Sequence, residues 1–565
     1  MAVETLSPAQ RSPLPRGERE RAFSAAGAFS KNNQAVADGL AILILAAVAI
    51  AAALTFRDYG LGWDDYTHSQ YGDLLLKLYG SGFADTRALH FVNLYKYGGG
   101  FDMAAALAAK VLPFGLFETR RLMAAIVGLA GLIAAWRLAR RLGGPVAGAG
   151  ALALLATCPL YYGHMFMNAK DAPFAAAMIL LLLGLVHVFE AYPKPGWRSI
   201  VLTGVALGLA FGSRVLAGLA APCALAALAL IAIVEGRADG WRPALRRLGA
   251  FLARFAPALL LAYAIMALLW PWSVVAPLNP LRAALYFDTF FEKPWKELYE
   301  GQLIPVPDMP ATYLPHLIAL KLPDLMLALG AAGIVGALVA VCRREVTRTR
   351  RANLLLVTLA VLLPVAIATI TRPALYNGIR QFLFIVPPLA VLAGLAAGWL
   401  FERAAVHGRA ALTAAAAVFA AGLSIPLYGM TALHPYEYVY YNVLAGGVRG
   451  AQGRYMLDYW GLAFKQAAEA LRARLAAAGE HPPAGRRWVV AICGPQSSAR
   501  QELGPEFETT FDQKKADFAM ALGAFYCAHL QGPILAEIRR SGLVFATVYD
   551  LRGSPPPKLL TVPPP

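Results

Sequence analysis

Charged residues are scarce in this chain: Asp, Glu, Lys and Arg make up 15% of its 565 residues, against 58% that are hydrophobic. A soluble globular protein carries about a quarter of its residues as charges, so that class is excluded and most of the chain reads as lying in lipid. Cysteine is rarer still, five in all, and no His/Cys set recurs at metal-ligand spacing. Acidic residues number 34 against 51 Lys and Arg, a formal net charge of +17. The basic residues are spread over loops and no aromatic-interleaved basic domain is present, which argues against nucleic acid as a partner. No internal repeat of fixed period is apparent, which weighs against an inverted-repeat transporter.

What the chain does have is long apolar runs. A membrane-crossing helix needs about 20 mostly apolar residues, and this length finds about eleven candidates. They lie near 38–56, 121–139, 144–160, 172–190, 199–212, 215–234, 251–270, 317–342, 353–371, 381–400 and 410–428. The stretch Ile200–Val234 is broken only by Gly212-Ser213-Arg214. Lys and Arg are enriched in cytoplasmic loops. The N-terminal tail, Arg137–Arg141, Lys194–Arg198, Arg237–Arg254, Arg343–Arg351 and Arg403–Arg409 all face the cytoplasm only if that stretch crosses twice. The expectation is a polytopic all-α protein of the inner (plasma) membrane, N-terminus inside, C-terminus outside. Loops 57–120, Tyr161–Lys170, Pro271–His316 and Arg372–Arg380 then lie on the outer face.

Three regions follow: 1–37, a Pro-, Ser- and Arg-rich disordered cytoplasmic tail; 38–430, the membrane domain with its large outer loop 57–120; and 431–565, a small periplasmic α/β domain. In the last, Arg487–Cys493 and Leu543–Leu551 predict strands, and Gly461–Ala478 and Lys515–Leu530 predict helices. Cys493 and Cys527 share this domain, and an oxidising compartment permits them to pair; a pair and two simply buried thiols stay equally open.

Chemistry gathers at the outer edges. Asp64 and Asp65 follow the first span within Gly62-Trp63-Asp64-Asp65-Tyr66, and Lys170 and Asp171 precede the fourth. A solvated helix exit accounts for a lone Asp-Asp pair. The outer loop, however, adds His68, Asp73, His90, Tyr95, Lys96 and Asp102, more than a connector of about 60 residues needs. Arg372 and Arg380 bracket the turn between spans nine and ten, and Arg214 sits between spans five and six. Each Arg alone suits snorkelling. Together with the carboxylates they describe a site for an anionic head group at the lipid–water boundary, because Arg grips phosphate through a planar fork of donors.

Four stretches carry a family resemblance: Trp63-Asp64-Asp65; Asn168-Ala169-Lys170-Asp171-Ala172-Pro173-Phe174; Tyr376-Asn377-Gly378-Ile379-Arg380 through Phe384 with Pro387-Pro388; and His434-Pro435-Tyr436-Glu437 through Asn442 with Asp458-Tyr459-Trp460-Gly461. Over residues 38–465 the chain resembles the GT-C membrane glycosyltransferases of the protein O-mannosyltransferase and aminoarabinose-transferase type (glycosyltransferase family 39-like). The resemblance implies transfer of a sugar from a polyprenyl-phosphate donor to an extracytoplasmic lipid, glycan or protein, with inversion. It implies Asp64 as catalytic base with Asp65 beside it, where relatives carry Asp-Glu, and Asp171 as metal or acceptor ligand. Arg380 maps to the donor phosphate, with Lys96 and Arg372 as helpers matched by loop position only. Lys170, His90, Tyr376, His434 and Glu437 are candidates around the acceptor. A divalent metal cofactor at Asp171 stays open, as does the sugar.

Other classes compete. A transporter places ionisable residues at mid-membrane depth, whereas the mid-span positions here are Ala, Leu, Gly and Val. A non-catalytic assembly subunit needs neither the Asp pair nor the Arg set. A lipid-linked glycan ligase or polymerase uses outer Arg residues on a polyprenyl carrier, but takes a diphosphate donor and does not require the acidic pair.

Overall fold

The computed structural model describes residues 31–288, 295–524, 526, 527 and 532–553. It is a helical membrane protein with a small C-terminal sheet domain, as expected. Among the described residues nine helices are long and apolar enough to cross a membrane. The helix Leu116–Ala156 supplies two of the expected spans, because the chain reverses at Gly144 (φ 82°), just before Pro145. A Cβ on Gly148 would lie 2.8 Å from that of Arg140, whereas a straight helix separates these positions by about 12 Å. In the short helix Pro159–Met167 that follows, the Tyr161 hydroxyl donates to the Gly128 carbonyl at 2.9 Å, tying the far end of the returning limb to the first. The shorter Trp197–Phe211 stands where the span 199–212 was expected.

Three expectations are corrected. The helix expected to start after a disordered 1–37 begins at Lys31, and the rest of that tail lies outside the described residues. The run 317–342 is two helices, Tyr313–Lys321 and Asp324–Cys342, broken at Leu322-Pro323 because proline cannot donate a helical N–H and disfavours a helical residue before it. The segment Lys515–Leu530 is not a helix: Phe518–Leu522 is a strand, and 525 and 528–530 lie outside the described residues. That strand is buried at every position, and a short central strand shows the same continuous apolar run as a buried helix.

Burial separates central spans from peripheral ones. Asp171–Glu190 and Arg380–Val406 are largely enclosed, 89% and 83% of their apolar cores, while Arg409–Leu433 is 6% enclosed and presents its sides to lipid. The two central spans begin at Asp171 and Arg380, so the most protected helices deliver the candidate charged residues. Close packing there depends on small residues. A Cβ on Gly333 would stand 2.1 Å from the backbone oxygen of Leu392 in the adjoining central span. Gly333→Ala is therefore expected to destabilise the protein by about 1–3 kcal/mol, the usual cost of overpacking, read as a lower melting temperature in detergent.

The C-terminal sheet has the order β4-β3-β5-β7-β6, with β3 Trp488–Cys493, β4 Phe507–Thr510, β5 Phe518–Leu522, β6 Ile534–Arg540 and β7 Leu543–Asp550. Strands β3, β4 and β5 are parallel, and β7 is antiparallel to both β5 and β6. Cys493 at the end of β3 is disulfide-bonded to Cys527. The domain clamps the acid-bearing segment after the first span. Ser498 donates to the Gly62 carbonyl at 2.6 Å, and the Leu61 amide donates to Glu502 at 3.0 Å. A Cβ on Gly60 would lie 2.2 Å from the Leu462 carbonyl oxygen, so only glycine fits that approach.

Candidate active site

Asp64 and Asp65 are adjacent in sequence but turn to different partners. Asp65 is buried and accepts from both terminal nitrogens of Arg121 (3.0 and 2.8 Å) and from the Gly62 amide (2.7 Å). Arg121 also donates to the Gly60 carbonyl. The second acid is thus saturated, and it fixes the turn that presents the first. Asp64 keeps 39% of its side chain exposed and pairs with the Lys170 ammonium at 2.9 Å. Burial raises the Asp64 pKa, but Lys170, Arg380 and His68 outweigh it and hold the carboxyl well below its usual range. Burial lowers the Lys170 pKa in turn, and Asp64 and Tyr97 bring it above the ordinary lysine value.

Asp171 is the hub. One oxygen faces Arg214 at 2.9 Å, and the other takes Arg380 at 3.3 Å and the Asn168 amide at 2.8 Å. Asn168 is oriented by its own oxygen, which accepts from the Lys170 and Asp171 amides. Its NH2 group must therefore also donate to His164 Nδ1, 3.1 Å away. That leaves the His164 proton on Nε2, 3.3 Å from the Tyr459 hydroxyl, in keeping with burial pushing this imidazole down to about 3. Arg380 lies between the rings of Tyr376 (5.0 Å) and Trp460 (5.4 Å), a desolvated cation–π setting that suits guanidinium better than ammonium. Tyr97 completes the wall, 5.0 Å from the Lys170 nitrogen and 5.6 Å from Arg214, its hydroxyl pushed up by burial to about 12.

Three cations, Lys170, Arg214 and Arg380, thus face two carboxylates, Asp64 and Asp171. The cluster carries one positive charge over. Buried charge is tolerated only when paired, so this excess suits an incoming anion. The donor set does not suit a metal at Asp171, since two guanidinium groups and an amide occupy its oxygens. Among the described residues no group of three His, Cys, Asp or Glu is arranged to hold a metal ion.

Other candidates lie elsewhere. Lys96 packs on the rings of Tyr286 (3.0 Å) and Tyr95 (5.5 Å); its neighbour Tyr97 reaches the cluster instead. Arg372 is exposed at the left-handed end of Arg348–Thr371, and His90 is exposed with its ring 6.3 Å from that of Tyr95. His434 bridges Asp58 (2.9 Å) and Glu437 (2.7 Å), and Glu437 also accepts from Tyr59 at 3.0 Å. This pair fastens the ends of the first and last spans together rather than entering the cluster. Tyr376 is beside Arg380, as described.

Sequence reasoning passed over Arg120 and Arg121. Arg120 and His68 both hold the buried Asp102, each at 2.6 Å, where opposing charges overcome burial and keep the carboxyl low. Two arginines at what the expected topology makes the outer edge of a span run against the positive-inside trend, and that was the available signal. Asn168 stood in the Asn168–Asp171 motif, but the turn it builds by accepting from the Lys170 and Asp171 amides was not readable there.

Residues 101–270 match the family described as dolichyl-phosphate-mannose-protein mannosyltransferase. No curated protein sequence matches the chain. Among solved structures, ArnT from Cupriavidus metallidurans bound to undecaprenyl phosphate is similar at 16% identity and a TM-score of 0.46, covering 90% of this chain and 98% of that one. The same protein in the apo state gives 14%, 0.47, 91% and 98%. The Archaeoglobus fulgidus oligosaccharyltransferase in the apo form gives 13%, 0.45, 80% and 62%. The family match covers the segment that supplies Asp102, Arg120, Arg121, Lys170, Asp171 and Arg214, and it spans 170 of the 565 residues.

Proposed function

We propose that the protein moves a sugar from a polyprenyl-phosphate donor to a hydroxyl of an extracytoplasmic acceptor, with Asp64 as general base. The observation that carries the reading is the surplus of positive charge around Asp171, next to the one carboxylate of the cluster that remains partly exposed. The donor phosphate binds Arg380, Arg214 and Lys170. Asp64 accepts the proton of the acceptor hydroxyl as its oxygen attacks the anomeric carbon. The bond from that carbon to the phosphate oxygen breaks, and the electron pair leaves with polyprenyl phosphate, whose growing charge the same cations stabilise. Attack opposite the leaving group inverts the anomeric centre.

In the resting site Asp64 is a weak base, because its ion pair lowers its proton affinity and an effective base has a pKa near the working pH. Donor phosphate supplies the remedy by drawing Lys170 off Asp64, so donor binding precedes acceptor activation. On this reading the protein belongs to a bacterial inner membrane with its sheet domain in the periplasm, and the Cys493–Cys527 disulfide supports an oxidising compartment. Arg380→Ala is expected to weaken undecaprenyl phosphate binding by roughly ten- to a hundredfold, the loss of one charge-assisted contact, and to leave acceptor KM nearly unchanged. Equal binding by the variant and the wild type in a thermophoresis titration contradicts the role.

A further inference from the structure

Arg380 depends on a turn whose geometry is imposed from outside its own segment. Asn377 and Gly378, three and two residues before it, both adopt the left-handed conformation, at φ 58° and 71°. Asparagine reaches that conformation more readily than other non-glycine residues, and here a tertiary constraint fixes it. The constraint comes from a hairpin in the loop between the helices Trp241–Leu269 and Tyr313–Lys321, made of β1 (Lys296–Tyr299) and β2 (Gln302–Pro305). Glu297 on β1 is 2% exposed. Its Oε1 accepts the Asn377 amide at 3.0 Å and the Tyr313 hydroxyl at 3.2 Å, and that hydroxyl accepts the Gly378 amide at 3.1 Å. Beside it, the Trp295 ring packs 5.4 Å from Tyr376, the ring on which Arg380 rests.

Glu297 belongs to no ion pair among the described residues within 4.0 Å, and its Oε2 is buried without a hydrogen-bond partner. A buried carboxyl group that makes no close ion pair and satisfies two consecutive amides, one directly and one through a tyrosine, is placed to set backbone geometry. We propose that Glu297 is a positioning residue: through the Asn377–Gly378 turn it holds the Arg380 guanidinium where the donor phosphate arrives. The proposal rests on the donor reading above. It makes the hairpin, distant in sequence, part of the binding site without touching the ligand.

The test is a double-mutant cycle on the purified full-length protein, with undecaprenyl phosphate affinity as readout. Glu297→Ala is expected to weaken binding about tenfold, one to two hydrogen bonds' worth. Glu297→Gln, whose amide oxygen still accepts both donors, is expected to bind like the wild type. Glu297→Ala with Arg380→Ala is expected to bind no worse than Arg380→Ala alone, because the first residue acts through the second. Multiplying losses in the double variant, or a Gln variant as weak as the Ala variant, overturn the proposal. If Arg380→Ala itself binds normally, the donor reading falls, and amide exchange of residues 376–380 decides the positioning. Faster exchange in Glu297→Ala but not in Glu297→Gln upholds the clamp, and unchanged exchange in both removes it. Should Glu297→Ala not fold, Tyr313→Phe deletes the oxygen that accepts from Gly378 and serves in its place.

Discussion

Asp64→Asn is expected to lower transfer by roughly a hundred- to ten-thousandfold, the range lost with a general base, while leaving the protein folded and inserted. Asparagine keeps the shape of the side chain and a carbonyl oxygen for Lys170, but it cannot take the proton of an acceptor hydroxyl. The partners also argue for a selective effect. Asp64 is the carboxylate of the pair that remains 39% exposed, whereas Asp65 is committed to Arg121 and the Gly62 amide. Asp65→Asn is therefore expected to cost stability first and activity only through it. Donor binding by Asp64→Asn should be unchanged or tighter, since Lys170 is released to the phosphate. Turnover of purified Asp64→Asn equal to the wild type would remove it as base and leave the cluster a binding site only.

Asp171→Ala carries the largest expected effect on stability. It leaves Arg214 and Arg380, both nearly inaccessible, facing one another with no carboxylate between them. Breaking a buried ion pair from one side costs about 3–5 kcal/mol, chiefly because the stranded charge is desolvated without compensation. The variant should melt well below the wild type. It should also be rescued, in proportion, by polyprenyl phosphate, since the ligand's anion replaces the lost countercharge and a ligand that binds only the folded state raises its stability with concentration. A variant that melts with the wild type, or that the lipid phosphate stabilises less than it stabilises the wild type, would contradict the electrostatic account of Asp171. Asp171→Asn separates shape from charge and should resemble the Ala variant.

How much of this was legible beforehand follows from how the signals arise. In an apolar chain each charge at a span edge stands out, which is why Asp64, Asp171, Lys170 and Arg380 were readable, and why the bent pair of spans in 116–156 was expected at nearly its observed position. The division of labour between Asp64 and Asp65 was not readable, because it depends on Arg121, brought in by a loop of more than fifty intervening positions (66–120) whose closure no periodicity encodes. Glu297 was hidden for the same reason: it sits in a loop without pattern and acts on backbone amides, which every sequence has. Lys96 and Arg372 were matched by loop position alone, and position in a loop says little about direction. His434 and Glu437 pointed to chemistry by type but are used as a fastening, since their partners Asp58 and Tyr59 close the ends of two spans. The strand at Phe518–Leu522 was misread because a strand buried on both faces loses the alternation that identifies strands.

The measurement that bears most directly on the account is photo-crosslinking with a polyprenyl phosphate that carries a photoreactive group beside its phosphate, followed by peptide mapping. Label should fall on the segments holding Tyr97, Lys170–Asp171 and Tyr376–Arg380, and unlabelled undecaprenyl phosphate should compete it away. Label confined to the opposite ends of the spans, near Arg343–Arg351 or Arg403–Arg409, would contradict a single anion site built from these cations.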